Sequence, residues 1–147
     1  MSSKPDPELR RVAGQCLARK VRQASRHLTA LYDEALRPHG LKASQLNVLV
    51  AVGAFGTAGP AELVRALDLE KSTVSRGAER LAASGWLEVL ADPAERSLRY
   101  RLTAKGRGLL ARALPDWERA EAEARRRLGR EGVAALSALA GALEPRA

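Results

Sequence analysis

The chain has little of the chemistry that marks an enzyme or a metalloprotein. One cysteine, two histidines and one methionine are spread over 147 residues. The lone thiol, Cys16, allows no internal disulfide and fits a reducing compartment. Histidines, cysteines and carboxylates do not cluster, so no metal site is expected. There is no glycine-rich phosphate loop, no G-x-S-x-G string, and no histidine at a useful spacing from a carboxylate. The expectation is therefore no enzyme and no cofactor. No apolar run approaches the ~18 residues of a membrane span. The opening string "MSSKPDPELRR" lacks the apolar stretch of a secretory signal. A cytoplasmic protein without membrane contact is expected.

What the chain does have is positive charge. Lysine and arginine number 25 against 17 acidic residues, a formal net charge of +8. The excess is spread along the chain rather than confined to a tail. It points to an anionic partner, nucleic acid or membrane surface, without choosing between them.

Periodicity gives the organisation. Asp6 is placed to cap a helix with Pro7 at its first position. Ala13, Leu17, Val21, Ala24, Leu28, Leu31 and Ala35 then recur at spacings of three and four, predicting one long amphipathic helix that stops near Pro38 and Gly40. Ser44 is placed to cap a short helix, "QLNVLVAVGAF", apolar on nearly every face and so expected to be buried. Another short helix starts at Pro60 and ends near Leu67. After a turn over Asp68 to Glu70 comes "KSTVSRGAERLAASGW", where Val74, Ala78 and Leu81 form a narrow apolar stripe and Gly85 marks the end. The period then changes from 3.6 to 2. "WLEVL" reads as one strand, and "LRYRLT" as a second that turns Leu98, Tyr100 and Leu102 to one side. From Ala104 a second long helix carries Leu110, Leu114, Trp117, Ala120, Ala124 and Leu128 on one side, with a bend expected at Pro115. A last helix follows Gly129, with Val133, Leu136, Ala140 and Leu143 on one face.

Two short helices joined by a tight turn describe a helix-turn-helix, and the hairpin after it makes a wing. The exposed face of the second helix carries Lys71, Ser72, Thr73, Ser75, Arg76 and Arg80, and the hairpin adds Arg96, Arg99 and Arg101. On an isolated helix such a face is merely solvated. Here turn, hairpin and charge coincide, which favours double-stranded DNA. The second helix enters the major groove, and the wing arginine reaches a neighbouring minor groove.

Several strings resemble the MarR family of bacterial transcriptional regulators. "LEKSTVSR" is similar to the family's recognition-helix opening, and "ERLAASGWLEV" to the continuation into the first wing strand. "DPAERSLRYRLTAKGRGLL" resembles the wing and its exit. Leu102, Thr103 and Gly106 match there, Arg96 falls at the spacing of the wing arginine, and Ala94 stands where the pattern has an acidic residue. "ASRHLTALYDEALRPHGLKASQLNVL" resembles the first two helices, so the likeness covers nearly the whole chain.

The resemblance implies one mainly α-helical domain over 1–147 with a small β-hairpin wing. Its winged helix-turn-helix occupies 42–103, and a helical dimerisation part is formed by 6–38 and 104–145. It implies a homodimer on a pseudo-palindromic site, with recognition helices about one DNA turn, ~34 Å, apart. The apolar surface of the terminal helices, more than one small winged domain covers, points the same way. A repressor released by a small organic effector is the expected mechanism.

Alternatives remain beside it. One branch of the family senses organic peroxides through a cysteine near a tyrosine comparable to Tyr32. Cys16 lies two positions before that place, which Ala18 holds, and the favoured reading of Cys16 is a small packing residue rather than a redox switch. His27 and His39 are candidates for an effector pocket, although His39 also reads as a loop residue beside Gly40. Trp86, Tyr100 and Trp117 fall in register with apolar patterns and read as core. The run Arg125 to Arg127 reads as a solvated helix end. A winged helix serving as an architectural DNA binder or a protein-interaction module is the other class of function.

Overall fold

A computed structural model of the chain describes residues 5–92, 94 and 97–144. Asp6 does cap the first helix, α1 (Pro7–Gln15), by accepting the Glu8 amide at 2.8 Å. The predicted continuous helix is nevertheless two. At Cys16 the backbone turns extended (ψ 111°), and α2 (Leu17–Leu36) starts afresh. The break is local, because Cys16 still donates to Val12 O and Lys20 to Cys16 O, while Arg19 Nη1 donates to Ala13 O at 3.0 Å. Gly14 weakens the helix by about 1 kcal/mol relative to alanine. No packing opposes the break either, since Leu9, Val12 and Leu17 are all exposed.

A 3-10 turn (Arg37–His39) and Gly40 lead into α3 (Ala43–Phe55). Its cap is not Ser44. Lys42 holds the cap position, its amide donating to Gln45 Oε1, and the Ala43 amide donates to Asp33 Oδ1 of α2 at 2.7 Å. Leu46, Val48, Leu49 and Val52 of α3 are buried, but Val50 and Phe55 are exposed, so this helix is less enclosed than its composition suggests.

Next come α4 (Pro60–Leu67), α5 (Lys71–Ala83), and the antiparallel pair β1 (Leu87–Asp92) and β2 (Ser97–Leu102). Ala58 forms a bridge to Tyr100, with paired backbone bonds of 3.0 and 2.8 Å, so a third strand position covers the other edge of β2. The last element, α6 (Ala104–Ala142), runs through Pro115 and leaves helical geometry at Gly129 (φ 67°), so the expected last helix is present after that break.

The core lies where α3, α4, α5, the hairpin and the first half of α6 meet. Leu49, Val52, Leu63, Val74, Ala78 and Leu81 are almost wholly buried there, beside Tyr100. Each large aliphatic side chain so enclosed contributes about 1.5–3 kcal/mol. Trp86 and Trp117 pack against the same cluster, as expected. On α6 the buried positions are Leu109, Leu110, Ala113, Ala120 and Ala124, whereas Leu114 and Leu128 of the expected face are exposed. The buried face is thus rotated by one residue toward Ala113. No helix among the described residues is long and apolar enough to cross a membrane.

Candidate nucleic-acid interface

The helix-turn-helix is assembled from local signals. Pro60 opens α4, and the Gly59 amide donates to Glu62 Oε2 at 2.7 Å. That bond, followed by the Arg99 charge, holds the Glu62 carboxyl below the usual carboxylate range. The turn closes at Asp68, whose left-handed backbone (φ 50°) is among the few that a non-glycine residue tolerates. Glu70 is the N-cap position of α5.

Within α5, burial of Val74, Ala78 and Leu81 fixes which way the rest of the helix faces. Lys71, Ser72, Thr73, Arg76 and Arg80 point outward and are exposed, while Ser75 is half-buried. Among the described residues the side chains of Lys71, Arg76 and Arg80 make no ion pair and no hydrogen bond; the bond at Arg80 is from the Ser84 hydroxyl to its backbone carbonyl. No side chain caps the first turn of α5, so its amides add a positive end to this face. A groove of about 300 Å³ separates α5 from the first turn of α3, with Ser44 and Gln45 opposite Thr73 and Arg76. The sequence alone offered Ser44 only as a cap and Gln45 only as the start of a buried helix.

The hairpin departs from its expected pattern at two places. Tyr100 and Leu102 are buried, but Leu98 is exposed, because the end of β2 near the turn extends past the core. Arg101 is paired across the hairpin with Glu88 at 2.8 Å. Arg99, expected to face DNA, is turned into the protein instead. Its Nε donates to Thr57 Oγ1 at 3.2 Å, its Nη2 to Thr57 O at 3.0 Å, and Nη2 also lies 3.0 Å from Glu62 Oε2. Arg96 lies outside the described residues.

The L-T-x-x-G string at the hairpin exit is a structural joint. Thr103 Oγ1 accepts the Gly106 amide at 2.9 Å and donates to Gly85 O at 2.6 Å. Gly85 has φ 76°, which ends α5 and turns the chain into β1. A Cβ on Gly106 would fall 2.1 Å from Trp86 O, so only glycine fits where α6 crosses the hairpin.

A second cavity, of about 340 Å³, opens between α2, α3 and α6, lined in part by Leu28, Tyr32, Leu46, Trp117 and Glu121. The Tyr32 hydroxyl donates to Glu121 Oε2, and Arg125 Nε donates to Glu121 Oε1 at 2.6 Å. Desolvation and the neighbouring carboxylate push the Tyr32 phenol up to about 12, while its hydroxyl and Arg125 hold Glu121 below the usual carboxylate range. Neither histidine proposed for an effector pocket lines this cavity. His27 is exposed on α2, and His39 Nε2 is 2.6 Å from Asp116 Oδ2, fastening the 3-10 turn to α6. That pair escaped sequence reading because its members lie 77 positions apart.

Cys16 is exposed at the helix break, so the packing role expected for it is not observed in the single chain. Arg126 and Arg127 both pair with Glu123, which they pull down to about 2, and the three arginines from 125 to 127 remain largely solvated.

Comparison with known proteins places this geometry. A sequence profile of the MarR family matches residues 39–96. The M. tuberculosis transcriptional regulator MOSR, solved in complex with DNA, is 32% identical, covers 89% of this chain and 100% of its own, and superposes with a TM-score of 0.75. A cysteine-to-serine mutant of E. coli MarR complexed with operator DNA superposes at 0.80, with 24% identity over 91% of this chain and 97% of that one, a likeness of fold. The multiple antibiotic resistance protein MarR of Salmonella typhimurium is 27% identical over 100 residues, 68% of this chain. The matched stretch spans 62% of that relative's length.

Proposed function

This chain belongs to the MarR family of transcriptional regulators, and we propose that it is a sequence-specific double-stranded DNA-binding repressor, active as a homodimer and released by a small organic effector. The observation that carries the reading is the outward face of α5. The side chains of its three basic residues are exposed and have no partner among the described residues, while Val74, Ala78 and Leu81 hold the opposite face in the core. In the proposed complex Arg76 reads a base edge in the major groove, with Ser72, Thr73 and Ser75 reaching bases or phosphates. Lys71 and Arg80 neutralise phosphates, and Arg96 enters the minor groove from the wing.

Dimerisation, in this reading, belongs to 6–38 and 104–145. It is supported by Leu9, Val12, Leu17, Val21, Leu139 and Leu143, all exposed in the single chain. An apolar groove of about 420 Å³ between α2 and the end of α6, lined by Val21, Leu28, Leu128 and Leu136, continues that surface. The effector site is the cavity beside Tyr32 and Trp117. A ligand there touches α2 and α6 of the dimerisation part and α3 of the DNA-binding part, so it can bias the spacing of the two recognition helices.

The test is selection of duplexes from a random pool, followed by titration of the enriched duplex against salt. A repressor of this kind selects a pseudo-palindrome and binds it at least ~10³-fold more tightly than random DNA. Equal affinity for all sequences would indicate an architectural protein instead.

A further inference from the structure

The wing is a two-stranded ribbon, a unit of marginal stability by itself. Its direction must therefore be set where it meets the helical body. Besides the buried Leu87 and Leu102 and the Thr103 joint, two adjacent residues of β2 tie the ribbon to the segment that opens α4. Tyr100 exchanges both backbone hydrogen bonds with Ala58, and Arg99 reaches across the same edge to Thr57 and Glu62. The guanidinium thus joins three segments: the strand, the turn before α4, and the first turn of α4. Glu62 is held in turn by the Gly59 amide. With 24% of its side chain exposed, Arg99 keeps little surface for an outside partner.

We propose that Arg99 is a positioning residue for DNA binding: clamped by Thr57 and Glu62, it fixes the direction in which the wing leaves the helix-turn-helix, and it does not itself contact phosphate. Beyond Arg99 the described part of β2 runs only to Ser97, where the strand meets the wing turn, so a rotation at the clamp redirects that turn. The proposal rests on the reading of this region as a DNA-binding surface.

Glu62 supplies a test of opposite sign. Near DNA, removal of an acidic charge tightens binding if only long-range electrostatics act. Loss of a clamp weakens it. Arg99→Ala, Arg99→Lys and Glu62→Gln are to be compared on the duplex that the wild-type protein selects from a random pool. We expect each to weaken binding, by about tenfold or more for loss of one charge-assisted hydrogen-bonded contact. The Arg99→Ala/Glu62→Gln double variant should be no weaker than Arg99→Ala alone, and the slope of log affinity against log salt should stay at the wild-type value. Lysine keeps the charge but not the forked geometry, so Arg99→Lys should not rescue. In the free protein, the Ala58 and Tyr100 amides should exchange with deuterium faster in each variant.

A slope reduced by about 0.9 in Arg99→Ala, the signature of one lost phosphate contact, together with wild-type or tighter binding by Glu62→Gln, would overturn the proposal. Unchanged exchange at Ala58 and Tyr100 would overturn it as well. Failure of the wild type to select any duplex would instead remove the DNA-binding reading, and this proposal with it.

Discussion

The Tyr32 hydroxyl donates to Glu121 Oε2, joining α2 to α6 across 89 positions of sequence. The fold favours the neutral phenol, whose pKa rises from 10.0 to about 12. A raised acid contributes stability that is fully present below its unfolded pKa and is lost as pH rises through the folded one. Stability from this contact should therefore hold up to pH 10 and disappear between 10 and about 12. Phenolate absorbance checks it: the wild type should show a late step near 12 that Tyr32→Phe lacks. Ionisation of Tyr32 at its ordinary pKa would remove the hydrogen bond from the account.

Gly106 has no room for a side chain. Gly106→Ala must push α6 away from the Trp86 carbonyl and disturb the Thr103 bonds beside it. A loss of at least about 1–3 kcal/mol, the range for overpacked sites, is expected in urea unfolding. A variant as stable as the wild type would mean that the α6–hairpin joint is looser than its geometry.

Deletion of residues 130–147 removes Val133, Leu136, Leu139 and Leu143 together. The shortened chain should sediment as a monomer or aggregate, whereas the full chain is expected to sediment as a dimer at micromolar concentration. A well-folded full-length monomer under those conditions would contradict the assignment of the terminal helices to dimerisation.

Much of the helix-turn-helix and its hairpin was legible in sequence because its signals are local. Pro60, Leu67, the Asp68–Glu70 turn, the Val74–Ala78–Leu81 stripe and Gly85 each act on their own neighbours and stand where the pattern puts them. What the sequence hid are pairings between distant polar groups. Asp33 with the Ala43 amide, His39 with Asp116, Tyr32 with Glu121 and Arg99 with Glu62 depend on how elements pack, and periodicity carries no information about that. The pairing of Arg99 was hidden for this reason: alternation puts it on the polar face of β2 but says nothing of the Thr57–Glu62 segment lying beside that edge. The break at Cys16 was hidden differently, since an unpartnered amphipathic helix keeps its period when its backbone does not.

Cys16 is exposed, so its thiol is open to oxidants in the single chain. We nevertheless expect Cys16→Ser to leave release from DNA unchanged, because it lies outside the cavity beside Tyr32 that is assigned to the effector. The check is a duplex-binding assay with organic hydroperoxide on wild type and Cys16→Ser. Release of the wild type alone, reversed by a reductant, would replace the ligand mechanism with a thiol switch.

Arg76 is the most direct probe of whether the outward face of α5 reads DNA. The measurement is equilibrium binding of wild type and Arg76→Ala to the selected duplex and to single-base variants of it, at several salt concentrations. The account predicts that Arg76→Ala loses ~1–3 kcal/mol on the selected duplex and tolerates substitutions at one base pair per half-site that the wild type rejects. Binding by Arg76→Ala with wild-type affinity and sequence preference would contradict it.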